Sequence, residues 1–592
     1  MTRGTLVVLL GLLTLPTLGA DAASWRQYGF DNTHSSRQPD ETDLDAVSVS
    51  TLHVDWDFSF SPLLPGRGFT ASPSVHDNMV YIGGLNGIFY AIHATGPDKG
   101  KIRWQFPPDP VPPLPACRGT TTAPLLIAGY PDFENPSGPG IASSAAIVDN
   151  VAGYTAVIFG APDPNSHMGD GVLWALNAAT GQCIWKSTVL APTSGTSKIG
   201  YSSPAIAHGR AYIGVSAKTP DAPITTGMLF AIDLNTGDRD TTFNFTAMGD
   251  LHGPGGVDPR PGGGIWSSPA VTPDGDIVIT TGNSCANWKL GRDVDCSGDI
   301  PDVDYTLSMV RVDFRNGNVL QQLQPVDVRF DDDPDWAASP TVGQVSCGTL
   351  AMSVQKDGYS HALEIKTGGP FFNPACSYDT KNFPDDPDHK LECPLWTFPT
   401  VKKLPFTGVI DAMTGRHMID GHDDTRFIRP GALDGDHLFI STGGLNLTDL
   451  SPVGGRIFYN RLYSLDVCAS DLDRIRWRLD VDGAVGSPSV ANGVIYVGTS
   501  VGTSTGNFYA IADIHELPPP FESCEYPNVV GENTCTAGHF KMKPVPRIVS
   551  NPDAAGKGHP ILLEGSIPGI SAIVNGAVYV ATTAGHLYKL VK

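Results

Sequence analysis

Residues 70–106 read TASPSVHDNMVYIGGLNGIFYAIHATGPDKGKIRWQF: a small residue, Ser and Pro, then a short apolar run, a turn, VYIG, FYAI, a second turn and a Trp. The same order returns from Ser202 as SSPAIAHGRAYIG with GMLFAIDLNTG, and from Ser267 as SSPAVTPDGDIVITTG with LSMVRVDFRNG. It returns again from Ala338 as ASPTVGQVSCGTLAMSV, and from Gly486 as GSPSVANGVIYVGTS with GNFYAIAD. Weaker copies start at Ile141, Ile428 and Ile567, which makes about eight units. Each unit holds three or four short runs bounded by Gly, Asn, Asp or Pro, the pattern of up-and-down antiparallel strands. One such sheet cannot bury both faces, whereas eight packed radially can, so the chain is expected to be all-β, an eight-bladed β-propeller. In this reading the run ending in Thr-Gly (LWALNAATG, 173–181) is an inner or middle strand, and the following Trp opens the next strand and packs between blades. Trp104, Trp185 and Trp477 hold that place.

The last unit stops at Lys592 without its Trp-bearing strand, while LHVDWDFSF (52–60) is such a strand with no unit before it. A ring that borrows its first strand to complete its last blade accounts for both and removes a free edge. Insertions at 285–304, 371–400 and 518–560 are expected to project as loops. The expected organisation is a signal peptide over 1–22, an N-terminal extension over 23–51 and one propeller domain over 52–592.

Composition agrees with strands and tight turns: of 592 residues, 66 are Gly and 50 Pro, and only 17% are charged. Arg3, the apolar run LVVLLGLLTLPTL (6–18) and Ala20-Asp21-Ala22 have the form of a secretory signal, so a periplasmic or secreted location is expected. That run is shorter than the ~20 residues a membrane span needs. Ten Cys suit an oxidising compartment. Cys285 with Cys296, Cys376 with Cys393 and Cys524 with Cys535 are near enough to close local loops, which leaves Cys117, Cys183, Cys347 and Cys468 for longer links. A net charge of −22 argues against nucleic acid as a partner and suits a basic protein. The chain has no Cys-x-x-Cys-His for covalent haem, no Gly-x-Ser-x-Gly elbow, and no phosphate or dinucleotide loop.

From SWRQYGFDNTHSSRQ (24–38) and the repeated LWALNAATG…W, the chain resembles the quinoprotein alcohol dehydrogenases, most of all their polyvinyl-alcohol-dehydrogenase-like branch. The resemblance implies pyrroloquinoline quinone at the ring axis with calcium beside it, a small or polymeric alcohol as substrate, and a separate cytochrome-type electron acceptor. A flat orthoquinone bearing carboxylates needs an aromatic floor, cations for its acids and a divalent ion at its reactive carbonyl. In GGGIWSSPA, Trp266 resembles the floor; Asn283 of TTGN resembles the calcium ligand; Asp335 of DDDPDWAASP resembles the catalytic base. Lys356 of VQKDG resembles the basic residue at the quinone oxygens, and Arg118 of CRG an Arg on a cofactor carboxylate.

Two departures accompany the likeness. The family's adjacent Cys pair is missing, and FGAPDPNSHMG (159–169) lacks its calcium-binding Glu, leaving Asp163 as the available substitute. Each site residue also has a plain structural reading: Tyr201 fills the place of Trp266 in the preceding unit, Asn283 ends a strand, Asp335 sits in an acidic loop and Lys356 in a KDG turn. The alternative function is therefore a non-catalytic envelope propeller that presents loops to a partner.

Overall fold

The computed structural model describes residues 24–61, 68–107, 117, 140–163, 171–190, 199, 201–216, 226–247, 262–283, 305–325, 335–336, 338–356, 359–366, 394–398, 409–410, 417–418, 429–442, 460–470, 473–501, 504–514, 545–554 and 556–592. They form eight antiparallel blades, with no α-helix among them. Blade 4 is Ala270–Val271, Ile277–Thr280, Met309–Val312 and Val319–Leu323, and blade 5 is Thr341–Val345, Gly348–Val354, Ser360–Glu364 and Trp396–Phe398. The first strands of successive blades neighbour one another all the way round, from Ser74–His76 in blade 1 to Ala572–Val574 in blade 8 and back. Burial follows that order: in blade 1, Met79–Gly83 is buried along its whole length, whereas the outer strand Ile102–Phe106 alternates.

Three recurring sequence features are the joints between blades. Trp104 stacks on Gly181 of the next blade's Thr-Gly turn and donates from Nε1 to Ala178 O at 2.9 Å; Trp185 does the same at Gly237 and Leu234 O, 2.7 Å. These glycines have φ of 71° and 75°, and a Cβ would strike the indole, so the turn and the Trp require each other. The Gly of VYIG is a socket: a Cβ on Gly83, Gly160, Gly214 or Gly498 would overlap Ile141, Ile199, Ile265 or Ile567 of the following blade. The second residue of the small-Ser-Pro motif, with Ala145 in place of Pro in blade 2, forms a belt. Ile570 N donates to Ser72 Oγ (3.0 Å), Ser72 N to Ser144 Oγ (2.8 Å), Ser144 N to Ser203 Oγ (2.9 Å), Ser203 N to Ser268 Oγ (3.0 Å) and Ser268 N to Ser339 Oγ (2.8 Å). The belt stops at blade 6, where Pro430 stands.

The ring closes as expected: His53–Ser59 pairs antiparallel with His586–Val591, and Trp56 docks at Ala94 O in blade 1. The segment before it passes along the first strands. Val75 N donates to Trp25 O, Ile147 N to Arg26 O, Val271 N to Asn32 O, Val342 N to Thr33 O, Leu433 N to Ser35 O and Val490 N to Ser36 O. The Asn32 amide bonds Ile206 in blade 3, and Gln38 Nε2 donates to Ile573 O in blade 8. This hub touches all eight blades. It also indexes them: four residues before each hub-bound position stand Ala71, Ser143, Ser202, Ser267, Ala338, Arg429, Gly486 and Gly569. Seven of the eight are small.

Two expected loops carry strands: Trp396–Phe398 is the fourth strand of blade 5, and Val545–Ile548 pairs with the third strand of blade 7. Both lack the Thr-Gly spacing that marks the fourth strand elsewhere. Cys117 joins Cys183, and Cys347 joins Cys468 between blades 5 and 6. The other six Cys, and residues 1–23 with the expected signal, lie outside the described residues.

Candidate functional site

In an up-and-down blade, the residues just before the first strand and just after the second lie at the same end. Trp266 precedes the first strand of blade 4 and Asn283 follows its second; Asp335 precedes the first strand of blade 5 and Lys356 follows its second. Adjacent blades therefore present these four residues at one mouth of the ring. Local bonds hold them there. Trp336 is buried, donates from Nε1 to Leu307 O at 2.8 Å and bridges to Gln355, while Lys356 N donates to Asp335 O at 2.9 Å. On blade 4, Gly263 N donates to Asn283 O and Gly282 N to Gly264 O.

Two of the side chains, Asp335 and Trp266, meet at the ammonium of a third, Lys356. Lys356 Nζ donates to Asp335 Oδ2 at 2.9 Å and lies 5.4 Å from the centroid of the Trp266 ring. Asp335 is fully buried and Lys356 is 7% exposed. The pair is thus a desolvated salt bridge with a cation–π contact on its other side. Trp266 is part-exposed, and its buried Nε1 has no hydrogen-bond partner among the described residues. A Cβ on Gly282 would lie 3.2 Å from Gly264 O and 3.5 Å from both Trp266 Nε1 and Asp335 Oδ1, so the Gly282 backbone passes close to both indole and carboxylate.

Asp163 is committed elsewhere. Both of its oxygens accept from Lys186 Nζ, at 3.0 and 3.1 Å, in a buried pair within blade 2, with Lys186 also over Trp174. Its charge is thus matched by a neighbour in its own sheet, as that of Asp335 is by Lys356. Arg118 lies outside the described residues. Tyr201, at the equivalent place in blade 3, packs 6.3 Å from Trp266 at 59°, so packing and floor are compatible roles for adjacent aromatics.

Two further residues, Tyr28 and Arg429, carry no mark in the repeat. Tyr28 of the hub hydrogen-bonds Ser339, and Arg429 acts electrostatically on both Tyr28 and Tyr201. Burial pushes the Tyr28 phenol up to about 12, against the opposing pull of Ser339 and the Arg429 charge. Arg429 was detectable by aligning the units on their hub positions, since it is the one large side chain among eight.

The residues fit a planar quinone in part. Trp266 offers a face, Lys356 an ammonium for its oxygens and Asp335 a carboxylate. For a hard cation the site offers Asp335 and Asn283 as oxygen donors, and no group of three or more His, Cys, Asp or Glu gathers among the described residues.

No family model and no curated protein matches the chain. Solved structures do. A europium-containing methanol dehydrogenase superposes with a TM-score of 0.53 at 17% identity, covering 82% of this chain and 83% of its own. The quinohemoprotein alcohol dehydrogenase ADHIIG from Pseudomonas putida HK5 gives 0.57 at 15%, covering 96% and 80%, and the quinohemoprotein alcohol dehydrogenase from Comamonas testosteroni 0.56 at 15%, covering 97% and 81%. At such identity the likeness is one of fold: this chain has the eight-bladed propeller architecture of the quinone-dependent alcohol dehydrogenases.

Proposed function

We propose that this protein is an exported quinone-dependent oxidoreductase that oxidises an alcohol or sugar hydroxyl. The observation that carries the reading is the shared ammonium: Lys356 joins Asp335 to the face of Trp266 at one mouth of the ring. Pyrroloquinoline quinone, when bound, supplies the two-electron acceptor. Trp266 would carry the ring, Lys356 would face its oxygens, and Asp335 with Asn283 would hold calcium. Asp335 is the general base: it takes the hydroxyl proton as the carbinol carbon gives up its hydride. Burial around Asp335 and Trp336 excludes water from that proton transfer. Electrons then leave to a separate cytochrome-type protein, for which the −22 charge of the chain favours a basic partner. No helix among the described residues is long and apolar enough to cross a membrane.

The polyvinyl-alcohol-like branch would place a polymeric alcohol at this mouth. A second reading, a non-catalytic envelope propeller, is favoured by Cys117, whose bond to Cys183 gives no adjacent Cys pair above Trp266. Reconstituting the purified protein with quinone and calcium and following dye reduction by alcohols separates the two. Asp335→Asn should lower kcat by about 10²–10⁴-fold with the quinone still bound. An unchanged kcat removes Asp335 from the base role, and no quinone uptake by calorimetry decides for the scaffold.

A further inference from the structure

Blades 4 and 5, which carry the site, are joined in their own way. At four other joints a Gly is the socket for an Ile of the following blade, as Gly214 is for Ile265. In blade 4 the socket position is Thr280, whose N donates to Ser267 Oγ as Gly214 N does to Ser202 Oγ. The residue that takes the place of the Ile is Trp336. An indole brings a donor into the joint, and Trp336 Nε1 donates to Leu307 O at 2.8 Å.

Leu307 is itself an outlier. Each socket position has a partner on the third strand of its blade, and two residues before that partner the sequence has Gly87, Gly171, Gly227, Gly358, Asn460, Gly506 and Gly585 in the other seven blades. Blade 4 alone carries a bulky side chain there, fully buried, with φ of 50°. Gly87 and Gly585 take the same left-handed sign at 80° and 90°, which costs a Gly nothing and costs a Leu steric strain. Backbone strain of this kind persists only where the surroundings hold it, and it gathers at working sites. Leu307 N donates to Gly282 O at 2.9 Å, and Gly282 N donates to Gly264 O at 3.0 Å. Gly264 stands two residues before Trp266, and Trp336 follows Asp335. A chain of hydrogen bonds therefore runs from the residue beside the carboxylate on blade 5 to the segment that carries the indole on blade 4.

We propose that Leu307 is a positioning residue: its left-handed backbone, acting through Trp336 and Gly282, fixes Asp335 of blade 5 relative to Trp266 of blade 4. A side chain confines a residue to a small left-handed well, whereas Gly ranges over both signs of φ, so Leu aims its carbonyl at Trp336 more narrowly than a Gly would. Proton and hydride leave one carbinol group, so base and aromatic face must be in reach of it together, and a displacement of about 1 Å can cost about 10²-fold in rate. The effect on rate rests on the dehydrogenase reading, while the clamp between the blades has a readout without ligand.

Full-length wild type, Leu307→Val, Leu307→Gly and Trp336→Phe are compared in two ways: steady-state alcohol oxidation after reconstitution with pyrroloquinoline quinone and calcium, and amide hydrogen exchange of the ligand-free protein. Val keeps most of the side chain but branches at Cβ, which disfavours positive φ, whereas Gly loses the side chain and keeps the backbone. The clamp predicts a kcat for Val about tenfold or more below that for Gly at similar KM, although Gly has the lower thermal midpoint. Packing alone predicts Val above Gly in both. Trp336→Phe should lower kcat about 10²-fold at similar KM and speed exchange of the Leu307 and Gly282 amides. Should Trp336→Phe fail to fold, the two Leu307 variants keep the test. Faster exchange in Trp336→Phe, with a wild type that oxidises no alcohol, removes the dehydrogenase reading and leaves the clamp standing. Exchange at Leu307 and Gly282 equal to that of wild type, an unchanged kcat in Trp336→Phe, or a kcat for Val above that for Gly overturns the proposal.

Discussion

Lys356 serves two neighbours with one charge. Its ammonium is 2.9 Å from Asp335 Oδ2 and 5.4 Å from the Trp266 centroid, both in a desolvated setting. Removing one member of a buried ion pair leaves the other charge without its counter-ion, which typically costs about 3–5 kcal/mol, more than the pair itself contributes. Lys356→Met should therefore lower the thermal midpoint more than Lys356→Met combined with Asp335→Asn, with a coupling of about 0.5–3 kcal/mol. Additive effects in the double-mutant cycle would show that the two side chains are independent. Asp163 and Lys186 form a comparable pair in blade 2 without an aromatic face open to ligand. The difference between the two pairs lies in the aromatic partner, part-exposed Trp266 against buried Trp174, so ion pairing alone does not distinguish a site from a blade core.

At the scale of the element, one of the three joints between blades is a single hydrogen bond repeated. Ser144→Ala removes the acceptor of Ser72 N, and both residues are 2% exposed, so the orphaned donor should cost about 1–3 kcal/mol. A thermal midpoint equal to that of wild type would mean that water or a shift in backbone replaces the bond. These joints were legible in the sequence because each recurs once per blade: the Trp after Thr-Gly, the Gly of VYIG and the Ser before Pro could be aligned without knowing their partners. Trp266, Asn283, Asp335 and Lys356 were singled out by the family resemblance, and what the repeat made legible is their place, since they flank strands that it locates. The bond from Lys186 to Asp163 was not legible, because the two lie 23 residues apart, on different strands of the same blade, a contact no period announces. Arg429 went unnoticed because a lone Arg before a Pro is ordinary until seven equivalent small residues are set beside it.

Across the whole molecule, the hub is the feature least visible beforehand. It occurs once, has no period, and bonds partners as distant as Ile573, 535 residues from Gln38. It also ties ring closure to pH. His34 is buried, with its Nδ1 donating to Pro340 O at 2.9 Å and its ring edge-on to Tyr28 at 5.0 Å. Desolvation lowers its pKa to about 4, against the opposing effects of the Pro340 carbonyl and Asp31. The folded state thus prefers neutral imidazole, while the unfolded chain takes up the proton near the ordinary value of about 6.5. Between those values the unfolded state binds more protons, so stability falls as pH drops. The contribution is present in full above about 6.5, drains down to about 4 and is level below, for a total of roughly 3 kcal/mol. His361, lowered to about 3 by burial in blade 5, adds a loss of the same sign. His34→Asn isolates the hub term, because Asn tolerates the φ of 56° at this position and does not titrate. The thermal midpoint of wild type should fall between pH 6.5 and 4 more steeply than that of the variant, with His361 common to both. Parallel profiles would mean that His34 takes up its proton without leaving the hub, and that acid reaches the ring elsewhere.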